Sequence, residues 1–340
     1  MRSKSMRLKA AMLGIALAVT MTCAVAQVTW RNHQLMPAAF WLVQNENKLA
    51  EEIAADSKGR FRIVVLPAAS SGYKMGEVLD TVSENLLQMG YVAGGLSAGQ
   101  EQILELLDLP QFVPGDFEFR KKLWAELLPM YNKLLLDKYD VMAFDVIQYN
   151  PRRLYTKREV KRLADLKGLK IRALGPTDGA FIRALGAQPT ATEWTEITIA
   201  LQQGVIDGHM AADGPHLSMK FNELAPNIFD TENAGPSVFT VISNKALKAL
   251  SKENRDLLLS KQAAYQERNR QQYYAADVAA RKALLASGSR VHPVSAEENE
   301  LMRKQAIPIV EAWAKRLDAR SRPIYEKARA MVDAYHSTKK

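Results

Sequence analysis

The chain has 340 residues, of which 47% are apolar and 24% are charged. This composition is typical of a soluble globular protein and excludes a disordered or membrane-spanning chain, and the length accommodates about two domains. The formal net charge is +9, but four cations lie in the first nine residues, so the rest of the chain carries +5. This mild excess favours anionic small molecules and does not indicate a nucleic-acid partner.

The N-terminal segment predicts a cleaved signal peptide over residues 1–26. Its charged residues are all basic: Arg2, Lys4, Arg7 and Lys9. An apolar run follows at residues 10–19, and Ala24-Val25-Ala26 supplies the small residues expected before cleavage near Gln27. The run is too short to span a membrane, which takes about 20 residues. We therefore expect export to the periplasm.

Cys23 is the only cysteine and lies within this leader. A lipid anchor on Cys23 is the alternative, but Thr20-Met21-Thr22 lacks the aliphatic and small residues expected before a lipidated cysteine. The chain that remains after cleavage has no disulfide and no cysteine metal ligand.

Strand and helix patterns alternate after the leader. In chain order, they predict a strand at 28–31, a helix at 39–57, a strand at 61–66, a helix at 77–87, a strand at 89–92 and a glycine-rich stretch at 94–99. This alternation predicts an α/β domain with a largely parallel sheet.

A second α/β block begins near residue 149. Its patterns predict a strand at 171–174, helices at 179–185 and 195–203, and a strand at 237–243 that returns to the first domain.

A long helical pattern then starts at its cap, Ser251, and continues without proline or glycine to Gly288. Such a helix would measure about 50 Å, whereas a small domain is about 30 Å across. It must protrude, kink or run across two domains, and the last is simplest for a two-lobed chain.

The stretch of residues 152–172 contains nine basic residues and only two acidic ones. One interpretation is a site for nucleic acid or anionic lipid. A solvated surface segment with one or two inward-facing arginines is favoured, because no aromatic stacking residues accompany the charges and the chain is exported.

Residues 95–99 read Gly-Leu-Ser-Ala-Gly, which matches the nucleophile elbow of serine hydrolases. A periplasmic hydrolase that uses Ser97 is therefore an alternative function from another class. The simpler interpretation is a glycine-rich loop at a strand end that approaches ligand or backbone closely.

Two short stretches each combine carboxylate and imidazole side chains: Asp207 with His209, and Asp213 with His216. Convergence of these groups would make a metal site, but loop residues that satisfy backbone groups are the favoured interpretation. The chain lacks an HExxH motif, a Walker loop and a dinucleotide fingerprint. We expect no cofactor and no metal.

An ordered set of short motifs occupies the second block. It consists of Asp-Leu-Lys-Gly-Leu-Lys-Ile-Arg at 165–172, Leu-Gly-Ala-Gln-Pro-Thr at 185–190, Glu196, and Ala-Leu-Gln-Gln-Gly-Val-Ile-Asp-Gly at 200–208. Together they resemble the solute receptors of tripartite ATP-independent periplasmic (TRAP) transporters, the dicarboxylate-receptor-like family. The resemblance extends over about residues 28–285.

This resemblance implies a bilobed α/β fold in which crossing strands join the domains and a long helix bridges both lobes. We expect residues 27–149 plus about 237–270 in lobe I, and 150–236 plus about 271–340 in lobe II. It also implies a ligand in the interdomain cleft and lobes that close around it. The implied partners are a small organic acid and integral-membrane transporter subunits.

The resemblance implies that Arg172, the last residue of the 165–172 motif, binds the carboxylate of the ligand. A planar guanidinium offers a carboxylate two parallel hydrogen bonds, which strengthen when water is excluded. A salt bridge between the lobes is the alternative role for Arg172. A second family arginine corresponds to Arg152 or Arg153, and we favour Arg152.

Trp194 corresponds to an aromatic wall of the family's pocket, with plain core packing as the alternative. Further expected ligand contacts are Tyr73, Tyr91, His209 and Asp213. The sequence departs from the family pattern after Asp207-Gly208, where His209-Met210-Ala211 replaces the usual Gln-Glu-Asn. This change leaves a larger or less polar acid, such as an aromatic or branched carboxylate, as an alternative to a four-carbon dicarboxylate.

The sequence therefore predicts a receptor without catalysis that captures a small organic carboxylate for a secondary transporter. A receptor of an ATP-driven importer is the near alternative, since it would use the same cleft with a different membrane partner.

Overall fold

The computed structural model describes residues 27–68 and 70–338. The signal peptide predicted at 1–26, with Cys23, lies outside the described residues. Within the two described ranges, no helix combines the length and the apolar character needed to cross a membrane.

The strands are β1 (Val28–His33), β2 (Phe61–Leu66), β3 (Met89–Ala93), β4 (Val141–Gln148), β5 (Arg152–Thr156), β6 (Lys170–Ala173), β7 (Gln188–Ala191), β8 (Gly208–Ala211), β9 (Asn227–Asn233), β10 (Ser237–Ser243) and β11 (Arg290–Pro293). The α-helices are α1 (Trp41–Asp56), α2 (Val78–Ser83), α3 (Phe117–Tyr139), α4 (Pro176–Ala184), α5 (Ile197–Gln202), α6 (Asp213–Ser218), α7 (Asn244–Ala249), α8 (Lys252–Ser260), α9 (Gln262–Ala286), α10 (Ala296–Lys315) and α11 (Arg322–Thr338). Short 3-10 helices cover Met75–Glu77, Gln102–Asp108, Leu163–Leu166, Trp194–Glu196 and Phe221–Glu223.

Lobe I is built on a five-stranded sheet in the order β2-β1-β3-β10-β4. β1 is parallel to β2 and β3, whereas β10 is antiparallel to β3 and β4. Every residue of β3 and β10 is buried, as expected for central strands covered by helices on both faces. The prediction that residues 237–243 return to the first sheet is confirmed.

Lobe II is built on a six-stranded sheet in the order β11-β9-β5-β8-β6-β7. β6 is parallel to β7 and β8, and β5 is antiparallel to both β8 and β9. Helix α4 begins with proline at its first turn, where the missing N–H costs nothing, and packs on β6 and β7.

Two short segments, 149–151 and 234–236, carry the chain between the sheets. They lie side by side, because the Tyr149 N–H donates to the Pro236 carbonyl oxygen at 2.8 Å and the Gln148 side chain donates to the Gly235 carbonyl oxygen at 3.1 Å. A Cβ atom at Gly235 would lie 1.8 Å from the Tyr149 carbonyl oxygen. The crossing therefore requires glycine at this position.

Helix α9 is the third connection between the lobes. Its Gln262 and Gln266 side chains donate to the carbonyl oxygen of Phe144 in β4 at 2.8 Å. Near the other end of the helix, Arg281 contacts Asp230 in β9 at 2.5 Å. The single helix predicted from Ser251 to Gly288 is divided at Lys261 into α8 and α9. α9 alone is about 38 Å long, enough to span both lobes.

Two further elements differ from the sequence prediction. The helix predicted at 77–87 ends early at Ser83, because Asn85 adopts a left-handed conformation with φ of 62°. Helix α11 packs against α3 of lobe I, where the Phe119 and Tyr335 rings lie 4.7 Å apart, so this part of residues 271–340 lies on lobe I. The remaining lobe boundaries stay a prediction.

Candidate functional site

A cavity lies between the two lobes. It is lined by Leu35, Met36, Met75, Tyr91 and Ala93 on lobe I, by Arg152, Arg172, Leu174, Trp194, Met210, Ala211, Ala212 and Pro215 on lobe II, and by Tyr149 and Pro236 in the crossing segments. The volume open to the centres of water-sized molecules is about 40 Å³. A mostly apolar wall with a few convergent polar groups is typical of a small-molecule site.

Arg172 is a buried cation in this wall. It lies on β6, only 2% of its surface is exposed, and its guanidinium carbon is 5.8 Å from the centre of the Trp194 ring. Its Nε donates to the Thr192 carbonyl oxygen at 3.0 Å. The two Nη atoms make no hydrogen bond or ion pair with any residue of the described ranges. Burial lowers the pKa of Arg172 to about 10, and the Arg152 charge acts in the same direction, whereas the carboxylates of Asp178 and Glu193 act against it.

Arg152 is the second buried cation of the cavity. Its Nε donates to the Ala234 carbonyl oxygen at 2.7 Å, and its Nη1 lies 3.0 Å from Oδ1 of Asp178 in α4. The neighbouring Arg153 points the other way and pairs with Asp230 at 2.6 Å and Asp213 at 3.1 Å. Successive residues of a strand face opposite sides, so only one of the two arginines lines the cavity.

Three aromatic side chains complete the polar features of the cavity. The Tyr91 hydroxyl donates to the Tyr149 hydroxyl at 3.4 Å, and both groups are buried. Trp194 is 7% exposed, and its indole N–H finds no acceptor among residues 27–68 and 70–338. Tyr73 lies outside the cavity, in an adjoining surface pocket that shares Leu35, Met75 and Trp194 with it.

His209 and Asp213 are not among the cavity-lining residues. His209 packs edge-on against Trp194, and its Nε2 lies 3.1 Å from Nδ1 of His216. Burial lowers the pKa of His209 to about 3, so the imidazole is neutral. Asp213 accepts a hydrogen bond from Tyr155 and pairs with Arg153 behind the cavity wall. In the described part of the chain, no group of three or more His, Asp or Glu residues is arranged to hold a metal ion.

The glycine-rich loop at 94–99 forms part of the contact between the lobes. A Cβ atom at Gly175 would lie 2.6 Å from the Gly95 carbonyl oxygen, and the Thr177 hydroxyl donates to Glu105 of lobe I at 2.7 Å. Ser97 is fully buried, and its Oγ has no hydrogen-bond partner among the described residues. A serine nucleophile needs a base within hydrogen-bond reach, so this geometry does not support the hydrolase alternative.

Several cavity residues were not among the expected contacts. They are Leu35, Met36, Met75, Ala93, Tyr149, Leu174, Met210, Ala211, Ala212, Pro215 and Pro236, together with Asp178 as the partner of Arg152. Ala93, Leu174, Met210, Ala211, Ala212 and Pro215 lie close to stretches that the sequence analysis singled out, whereas Leu35, Met36, Met75, Tyr149 and Pro236 come from parts of the chain that no motif marks.

Comparison with known proteins identifies the family. Residues 32–316 match the model of the family described as bacterial extracellular solute-binding protein, family 7 (DctP). A solute-binding protein of Roseobacter denitrificans is 26% identical over 230 residues, which are 66% of this chain and 68% of that protein. A monocarboxylate 2-oxoacid-binding periplasmic protein of a Nostoc species is 25% identical over 312 residues, which are 89% of this chain and 84% of that protein.

A solved structure agrees with the fold. The crystal structure of DctP7, a Bordetella pertussis extracytoplasmic solute receptor that binds pyroglutamic acid, matches with a TM-score of 0.82 and 25% identity. The match covers 89% of this chain and 99% of that receptor. The bilobed α/β fold predicted from the sequence is confirmed. The chain belongs to the DctP family of extracellular solute-binding proteins, the solute receptors of TRAP transporters.

Proposed function

We propose that this protein is a periplasmic receptor that encloses a small organic carboxylate between its lobes and delivers it to the integral-membrane subunits of a TRAP transporter. Arg172 and Arg152 bind the carboxylate, and Trp194, Tyr91 and Tyr149 surround it. The predicted signal peptide, with cleavage near Gln27, directs the chain to the periplasm.

One observation carries this proposal. Arg172 is a buried guanidinium whose two Nη atoms form no ion pair with any of the described residues, and burial lowers its pKa. An isolated buried charge is unfavourable, whereas an anion that fills the cavity compensates it with charge-assisted hydrogen bonds. The relatives support an organic acid as that anion, since the Bordetella receptor binds pyroglutamic acid and the Nostoc protein is named for 2-oxoacids.

Catalysis is not part of the proposal. The relatives are binding proteins, and the Oγ of the buried Ser97 has no hydrogen-bond partner in the part of the chain that the structure describes. A fluorophosphonate probe is therefore expected to leave Ser97 unlabelled, and labelling with turnover of an ester would favour the hydrolase instead.

The test combines a ligand screen with one pair of variants. A thermal-shift screen of organic acids identifies ligands, because a molecule that binds only the folded state raises its melting temperature. Calorimetry then compares wild type, Arg172→Ala and the control Arg183→Ala, an exposed arginine on α4 of the same lobe. We expect Arg172→Ala alone to lose binding while its circular dichroism is unchanged, and unchanged affinity would reject the role of Arg172.

A further inference from the structure

The charge of the cavity is close to that of one unpaired cation. Arg152 and Arg172 contribute two positive charges, and Asp178 compensates one of them at 3.0 Å from Arg152. Asp108 lies nearby, but its two oxygens accept backbone N–H groups of Gly95 and Ser237, and it does not line the cavity. Burial raises the pKa of Asp108 to about 7, which reduces its charge at neutral pH. One negative charge on the ligand therefore neutralises the site.

The two arginines lie on the same side of the cavity. Both belong to lobe II, whereas lobe I contributes Leu35, Met36, Met75 and Ala93 together with the Tyr91 hydroxyl. A carboxylate on the arginines directs the rest of the ligand towards this apolar wall. A second carboxylate there would be buried without a cation, which is strongly unfavourable.

The cavity also lacks a partner for an ammonium group. None of the described residues that line it is acidic, and Asp178 is occupied by Arg152 and by the Leu174 backbone N–H at 2.8 Å. The carboxylate of Glu193 also acts on the Arg172 charge, but Glu193 is exposed and lines the adjoining surface pocket rather than the cavity. An α-amino acid would place its cation beside two arginines without compensation.

We infer that the ligand is a compact monocarboxylate whose remaining atoms are uncharged and mainly apolar, with neither a second carboxylate nor an ammonium group. This inference rests on the proposed function. The small volume of the cavity, about 40 Å³ for the centres of water-sized molecules, favours a short or singly branched acid. The Tyr91 and Tyr149 hydroxyls accommodate at most one neutral polar group, such as an oxo or lactam oxygen.

Matched acids of nearly equal shape test this inference. In three pairs an isopropyl end replaces a carboxylate: 3-methylbutanoate with malonate, 4-methylpentanoate with succinate, and 5-methylhexanoate with glutarate. In a fourth pair, 4-methyl-2-oxopentanoate is compared with leucine, which carries an ammonium group in place of the oxo oxygen. Calorimetry on the whole protein measures the dissociation constant of each acid.

In every pair in which at least one acid binds, we expect the acid without a second carboxylate or an ammonium group to bind at least tenfold more tightly than its counterpart. Equal or tighter binding of a dicarboxylate or of leucine would overturn the inference and leave the proposed function intact. No binding by any of the eight acids, with no other carboxylate found in the thermal-shift screen, would contradict the proposed function itself.

A charge-adding variant gives an independent readout. Met75→Lys places a cation on the lobe I wall, and Met75→Gln adds polarity of similar size without charge. We expect only Met75→Lys to shift the succinate to 4-methylpentanoate preference towards succinate, by at least tenfold. The same shift in Met75→Gln, or none in Met75→Lys when it folds, would show that charge balance does not select the ligand. The wild-type comparison does not depend on either variant.

Discussion

Asp178 pairs with Arg152 at 3.0 Å, while the adjacent Arg172 has no acidic partner among the described residues. The two arginines lie in the same cavity, yet within residues 27–68 and 70–338 only Arg152 forms an ion pair. This asymmetry distinguishes the two arginines. Arg152 is held by Asp178 and by the Ala234 carbonyl oxygen but still lines the cavity, whereas both Nη atoms of Arg172 are available for an anion.

The first prediction concerns the geometry of Arg172. Arg172→Lys keeps a positive charge but replaces the planar fork with a point charge, so a carboxylate loses its paired hydrogen bonds. We expect the dissociation constant to rise at least tenfold, which corresponds to about 1.4 kcal/mol or more. Calorimetry with the best acid from the screen measures the change, and wild-type affinity in Arg172→Lys would mean that charge alone is sufficient.

The second prediction concerns the buried pair. Asp178→Asn leaves the Arg152 charge without its counter-ion, and breaking one side of a buried pair costs about 3 kcal/mol of unfolding free energy. Urea denaturation measures the loss, and a bound acid should restore part of it because its carboxylate compensates the cations. The control Asp137→Asn removes an exposed pair with Lys133 and should change stability by less than about 1 kcal/mol. Similar stability of the two variants would contradict the structural role of Asp178.

The third prediction concerns the crossing between the lobes. Gly235→Ala would place a Cβ atom 1.8 Å from a backbone oxygen, so the crossing segments must separate. We expect a loss of about 2 to 3 kcal/mol in urea denaturation, the upper range for overpacking. Gly99→Ala is the matched control, since its Cβ atom would meet nothing within 4 Å. Equal tolerance of both changes would show that the crossing is not tightly packed.

These segments illustrate what the sequence predicts and what it does not. The strand patterns of 237–243 and 171–174 are local, so both strands were predicted, the second within one residue of β6 at each end. The contact of Gly235 with Tyr149 joins residues 86 positions apart. A single glycine in the sequence does not reveal which backbone will approach it.

The cavity likewise combines residues that local motifs predict with residues that only the fold brings together. Trp194 and Arg172 lie within a short run of motifs, whereas Met36, Tyr149 and Pro236 reach the cavity from distant segments. Asp178 stands directly before the helix predicted at 179–185, a position where an acidic residue is favourable without an ion-pair partner. Its pairing with Arg152 depends on how α4 packs on the sheet. His209 and His216 were expected in loops, but they lie in β8 and α6, and the His209 ring packs against Trp194 and His216 outside the cavity lining.

A fourth prediction concerns pH and a carboxyl group far from the cavity. Glu46 in α1 is buried and accepts hydrogen bonds from Asn32 at 2.8 Å and Tyr265 at 2.5 Å. Burial raises its pKa from 4.5 to about 7. The folded state therefore binds this proton more tightly than the unfolded state, so the contribution to stability is complete below pH 4.5 and is lost as the pH rises through about 7.

Glu46→Gln removes this titration. Its unfolding free energy relative to wild type should therefore increase between pH 5 and pH 8, by up to about 3 kcal/mol. Urea denaturation at the two pH values measures the difference. A constant gap between variant and wild type would mean that Glu46 is ionised throughout this range.

The central claim is that a ligand carboxylate occupies the space in front of Arg172. A crystal structure of the whole protein with the tightest-binding acid tests it most directly. We expect the carboxylate within hydrogen-bond distance of the Arg172 Nη atoms, with the uncharged end of the ligand against the lobe I wall. An acid bound elsewhere, with the Arg172 guanidinium still unpaired, would contradict the account.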